Sequence, residues 1–235
     1  MIGIFDSGVG GICSYRRVRS LLPYEDIVYL ADRRNAPYGI KSPDEIKKLT
    51  EKNIGILRSL GAEAVLIACC SASSVHHLLT DEDREISIPI IRPAAEIAAK
   101  AGKKITVIAT RHTATSGAFS REIRSISSAE VFELAEQELV ALVESGNRDG
   151  HIDRACRDYL TGLAERINGT SADTLILGCT HFSHLEREIQ RLLPKVKIIS
   201  PARVGAEEIV RKIKSRTREN ELLDNIKLVD MKEEL

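Results

Sequence analysis

Short, almost continuously apolar runs alternate along this chain with longer segments in which charged residues recur at helical spacing. The apolar runs are Ile2–Phe5, Ile27–Leu30, Ala64–Ala68, Ile88–Ile91, Ile105–Ala109, Val131–Leu134, Thr174–Leu177 and Val196–Ile199. Helical patterns lie between them, among them Ser42–Leu60, Ala94–Ala101, Ile152–Ile167 and Leu185–Leu193. A strand with no polar face has to be covered on both sides, and alternating β and α segments supply the cover. The pattern therefore predicts an α/β protein with mainly parallel sheets.

Ligands of such sheets sit beyond the carboxyl ends of the strands, so those ends are where chemistry is to be sought. Four stand out. Ile2–Phe5 runs into Asp6-Ser7-Gly8-Val9-Gly10-Gly11, Ala64–Ala68 into Cys69-Cys70-Ser71, Ile105–Ala109 into Thr110-Arg111-His112-Thr113, and Thr174–Leu177 into Gly178-Cys179-Thr180-His181. The second and fourth share a plan: apolar strand, small residue, cysteine, small or hydroxylated residue. They lie 110 positions apart, in corresponding places of the two halves. The expectation is two pseudo-symmetric α/β lobes facing one another, each giving one thiol to a shared cleft. The first lobe comprises residues 1–93 and 203–235, the second 94–202. The hinge falls near Arg92–Glu96, and the chain crosses back near Pro201–Gly205.

Composition narrows the picture. Among 235 residues, 34 Lys and Arg balance 34 Asp and Glu, which leaves no electrostatic case for a nucleic-acid or membrane partner. No apolar run approaches the ~20 residues of a membrane helix. The start "MIGIFDSGVGG" lacks the basic and apolar regions of a signal peptide, so a cytoplasmic location is expected. Five scattered cysteines, an odd number, do not make a disulfide framework. Without a CxxC pair no metal site is expected either. "DSGVGG" lacks the lysine of a phosphate loop and is read as a turn presenting Asp6 and Ser7.

Two opposed thiols have a definite chemistry. One thiolate removes a proton from one face of a carbon, and the opposite thiol returns one to the other face. That inverts a stereocentre with no cofactor. The α-proton of an amino acid is weakly acidic, so fixed donors around its carboxylate must stabilise the carbanion. Each thiol also needs an ionisable neighbour, for which Asp6, His181 and Glu144 are candidates.

The segments "GIFDSGVGGI", "YLADRRNAPYG", "IACCSAS", "IATRHTATS", "LVESG" and "LILGCTHFSHL" occur in the order found in the glutamate racemases of the aspartate/glutamate racemase superfamily, which this chain resembles over almost its whole length. The resemblance implies a cofactor-independent, two-thiol enzyme that interconverts L- and D-glutamate for peptidoglycan synthesis, commonly as a homodimer. It implies that Cys69, helped by Asp6, takes the proton of D-glutamate. Cys179, helped by His181 and Glu144, acts on L-glutamate. Asp6, Ser7, Pro37, Tyr38, Gly39, Ser71, Thr110, Thr113, Thr180 and His181 fall on positions that line the substrate.

Cys70 is also a substrate-binding position and departs from the family pattern, which has Asn there; a weak donor replaces an amide. Arg33-Arg34-Asn35 and "CTHFS" are further departures. Alternatives are an aspartate racemase, a homologue that binds an acidic ligand without turnover, and a redox protein forming a vicinal Cys69–Cys70 disulfide. Cys13 and Cys156 are read as helix packing residues, His76 and His77 as surface or packing residues, and His112 as an edge of the cleft. The charge run Lys212–Glu221 is read as a solvated helix face.

Overall fold

The computed structural model describes residues 1–215. The last part of the run Lys212–Glu221, and of the segment 203–235 assigned to the first lobe, lies outside the described residues. All eight apolar runs are strands. β1 (Ile2–Asp6), β2 (Ile27–Ala31), β3 (Ala64–Ile67) and β4 (Ser87–Pro89) form one parallel sheet in the order β2-β1-β3-β4. β5 (Lys104–Ala109), β6 (Glu130–Ala135), β7 (Thr174–Gly178) and β8 (Lys197–Ile199) form a second in the order β6-β5-β7-β8. The two orders are the same once the second set is renumbered, so β3 and β7 occupy equivalent places and end in the two candidate thiols.

The helices follow the local rules of their sequences. α1 (Ile12–Leu21) follows the glycine-rich turn after β1. α2 (Pro43–Ser59) opens on a complete capping box, with Ser42 accepting from the Glu45 N–H, Glu45 accepting in return, and Pro43 in the first turn. Two short helices follow, α3 (Cys70–Ser74) and α4 (Asp81–Ile86). The strand expected at Ile88–Ile91 stops at Pro89, because Ile91 already opens α5 (Ile91–Ala101). The expected hinge, Arg92–Glu96, therefore lies inside a helix. Beyond it come α6 (Arg111–Ser116), α7 (Ala118–Arg124), α8 (Gln137–Glu144), α9 (Arg154–Gly169) and α10 (Glu186–Leu192). α9 starts two residues later than its apolar period suggests, since Asp153 caps it by accepting from the Cys156 N–H at 2.8 Å.

α5 ties the lobes together. Its buried residues Ile91, Ala94, Ala95 and Ala98 recur at i, i+3, i+4 and i+7. They belong to one apolar core that runs from Ile4 and Leu66 of the first sheet to Val107 and Ile176 of the second. The helix over residues 201–215 returns to the first lobe, where Ser14 donates to the Ala202 carbonyl and Arg17 pairs with Glu207. Among the described residues no helix is long and apolar enough to cross a membrane.

Candidate active site

The carboxyl ends of β1, β3, β5 and β7 converge on a cleft between the lobes. Its free volume, counted out to the open mouth, is about 400 Å³. Cys69 is the extended residue that joins β3 to α3, and Cys179 joins β7 to a 3₁₀ turn over Thr180–Leu185. The two thiols, 5% and 6% exposed, line this same cleft.

Each thiol has its own partners. Cys69 Sγ donates to Ser7 Oγ at 3.6 Å. Cys179 Sγ lies 3.7 Å from His181 Nδ1, and His181 Nε2 lies 3.1 Å from Glu144 Oε1. Glu144 ends α8 and is half-exposed, so this second relay reaches solvent.

Asp6 is fully buried behind the cleft. Its carboxylate accepts from the Gly8 N–H at 2.7 Å and from the Thr180 hydroxyl at 2.9 Å. The latter bond stitches the end of β1 to the end of β7. Gly10 permits that approach: a Cβ there would stand 2.4 Å from Thr180 Oγ1 and 2.8 Å from the His181 nitrogen. Burial raises the Asp6 pKa, opposed by the nearby His181 and by the Gly8 and Thr180 bonds.

Burial also pushes Cys69 up to about 11, reinforced by the Asp6 charge. Cys179 is held higher still, again chiefly by burial. Cys70 is raised by burial and then by Cys179 and Cys69, the two thiols nearest it in charge. Burial thus favours the neutral form of all three thiols.

Hydroxyl groups form the opposite wall. Ser71 Oγ lies 3.1 Å from Thr110 Oγ1 and 3.2 Å from Thr113 Oγ1, which joins the lobes a second time. Tyr38 is buried and donates to Asp32 at 2.6 Å while accepting from Asn53, which fixes the loop carrying Gly39. A Cβ on Gly39 would stand 2.6 Å from the Thr110 Cβ, so only glycine lets this loop close on the second lobe.

Of the residues expected at the site, Ser7, Pro37, Tyr38, Gly39, Cys69, Cys70, Ser71, Thr110, Glu144, Cys179, Thr180 and His181 line the cleft. Asp6 and Thr113 stand one layer behind, each acting on it through hydroxyls. His112 does not edge it; the ring is buried and meets Ser74 Oγ at 3.0 Å. Gly8, Ala36, Gln137 and Val140 line it without having been expected. Gln137 and Val140 share the helical spacing of Glu144, the one signal that pointed to them.

Cys13 lies 3.7 Å from His184 Nε2, and burial, with Asp149 nearby, pushes its thiol up to about 11. Cys156 is buried in α9, and all five cysteines are free thiols. Among the described residues no three His, Cys, Asp or Glu side chains converge closely enough to hold a metal ion.

The profile of the Asp/Glu/hydantoin racemases matches residues 15–209. The chain belongs to this racemase family. Its similarity to the glutamate racemase of Desulforudis audaxviator is 40% identity over 207 residues, spanning 86% of this chain and 74% of that one. Its fold is similar to that of the glutamate racemase of Francisella tularensis solved with D-glutamate, with a TM-score of 0.82 and 28% identity over 92% of this chain and 81% of that chain. A glutamate racemase isoform of Bacillus anthracis is equally close, with a TM-score of 0.82 and 29% identity over 92% of this chain and 82% of the other. The racemase family thus shares the two-lobed α/β architecture that frames the cleft.

Proposed function

We propose that this racemase interconverts L- and D-glutamate without a cofactor, using Cys69 and Cys179 as opposed acid and base. The observation that carries the reading is the arrival of two thiols, from equivalent strand ends of two equivalent sheets, in one cleft. A similar enzyme solved with D-glutamate supports the choice of substrate.

In one direction the Cys69 thiolate takes the α-proton of D-glutamate, and the Cys179 thiol gives its own proton to the other face. Product leaves with Cys69 neutral and Cys179 as thiolate, and the reverse direction restores the start. Asp6, acting through the polar groups around Ser7, serves Cys69, whereas His181 and Glu144 serve Cys179. The raised pKa values make the substrate part of the machinery. An arriving α-ammonium places a positive charge beside the thiols and favours thiolate there. Hydroxyls of Ser7 and Ser71 and the strand-end N–H groups are the donors offered to the carboxylate, where each well-placed donor is worth about 3 kcal/mol to a developing anion. The reading extends to a cytoplasmic homodimer supplying D-glutamate for peptidoglycan, with the lobes divided as 1–93 plus 203–235 and 94–202. Analytical ultracentrifugation checks the dimer.

The test follows solvent deuterium into the α-position of L- and D-glutamate, with both aspartates in parallel. Exchange with loss of optical rotation is expected for glutamate. Cys69→Ala and Cys179→Ala should each abolish racemisation, and full activity in either variant overturns the two-thiol assignment. Binding without exchange in the wild type would instead make the chain a non-catalytic acidic-ligand binder.

A further inference from the structure

The charge layout of the cleft decides where the substrate's second carboxylate goes. The reacting carbon lies between Cys69 and Cys179. Asp6 and Glu144 stand at that level, one hydrogen-bonded to Thr180 and the other to His181. Their negative charge suits an α-ammonium and repels a second carboxylate.

Helix α8 measures the cleft along its length. Gln137, Val140 and Glu144 all line it, at the i, i+3, i+7 spacing of one helix face. Gln137 thus lies about 10 Å along the axis from Glu144. There it meets Gly39 and Thr110, with its Oε1 2.8 Å from where a Gly39 Cβ would be.

The amide of Gln137 can be oriented without ambiguity. The backbone N–H of Arg111 points at it and can only donate, so the oxygen faces Arg111 at 3.3 Å. That leaves the NH₂ group, which no group among the described residues accepts from. Among the described residues Gln137 is the one amide side chain lining the cleft, and an amide donor paired to a carboxylate is a strong, directional contact.

We infer that Gln137 donates through Nε2 to the distal carboxylate of the substrate and sets the preference for a five-carbon over a four-carbon acidic amino acid. A side chain one methylene shorter, with its reacting carbon fixed between the thiols, stops short of this amide. The inference rests on the racemase reading and adds a specificity residue to it.

The test compares wild type, Gln137→Ala and Gln137→Glu in steady-state racemisation of D-glutamate and D-aspartate, with calorimetric binding of D-glutamate in parallel. Gln137 is part-exposed in the first turn of α8, where alanine is a good helix former, so the fold should persist. In Gln137→Ala the KM for glutamate should rise about tenfold with kcat little changed, the mark of lost uniform binding. The aspartate constants should stay put, and Gln137→Glu should bind glutamate more weakly than Gln137→Ala. A glutamate KM and Kd within about twofold of wild type in Gln137→Ala would overturn the inference. So would an equal loss with aspartate. A wild type that binds glutamate but does not racemise it refutes the reaction alone, because the Kd comparison still decides the role of Gln137.

Discussion

The bond between Thr180 and Asp6 lends itself to a quantitative test. Thr180→Val keeps the shape of the side chain and puts a methyl group where the hydroxyl donates to Asp6 at 2.9 Å. The carboxylate is fully buried, so water cannot replace the lost donor. A hydrogen bond to a charged acceptor is worth about 1.5–3 kcal/mol. For a chain of this size that is a melting temperature lower by about 3–12 °C.

The pH dependence gives the test its sign. The Asp6 pKa is already raised in the folded state by burial. Removing a bond that favours the ionised form raises it further. A group with a raised folded pKa contributes stability below its unfolded pKa and loses it as pH rises through the folded one. The variant loses more, so its deficit relative to wild type should be small at about pH 4 and grow towards neutrality. Thermal unfolding of wild type, Thr180→Val and the hydroxyl-bearing Thr180→Ser across this range reads the deficit directly. A deficit independent of pH, or one equal in Thr180→Ser, would refute the reasoning.

Three further outcomes follow from the same geometry. Gly10→Ala drives a Cβ into Thr180 and the His181 backbone, so it should cost about 1–3 kcal/mol in denaturant unfolding and impair turnover; an unchanged kcat/KM would show that the lobes need not approach so closely. Cys70→Asn puts an amide where a buried thiol is a weak donor, and should lower the KM for glutamate by about tenfold; no change would make position 70 neutral. Cys69, pushed up to about 11, should react slowly with iodoacetamide at pH 8, with a rate that rises about tenfold per pH unit and shows no plateau below pH 9; a plateau by pH 8 would mean the thiol is already ionised.

The sheets were legible because their strands are covered on both faces and read as apolar runs with no competing period. Legibility failed where one apolar stretch serves two elements, as at Ile88–Ile91, which splits between β4 and α5. At the site, the chemistry-bearing strand ends could be read because parallel topology brings them to one edge. Depth could not. Asp6 and Thr113 look like lining residues in one dimension, yet each stands behind a hydroxyl of the other lobe. Gln137 and Val140 went unseen because they belong to a helix face with ordinary amphipathic character, and only the packing of α8 over the cleft gives that face its meaning.

The equivalence of β3 and β7 has a kinetic consequence. Mirror-image substrates have equal free energies, so the overall equilibrium constant is one and the Haldane relation forces kcat/KM to be identical in the two directions. The strands obey the pseudo-dyad, but the groups behind the thiols do not: a sealed carboxylate stands on one side and a solvent-reaching imidazole–carboxylate relay on the other. That asymmetry cannot favour either enantiomer at equilibrium. Under the proposed mechanism it surfaces only as kcat and KM rising or falling together when the direction is reversed, and any substitution in one relay must preserve that balance.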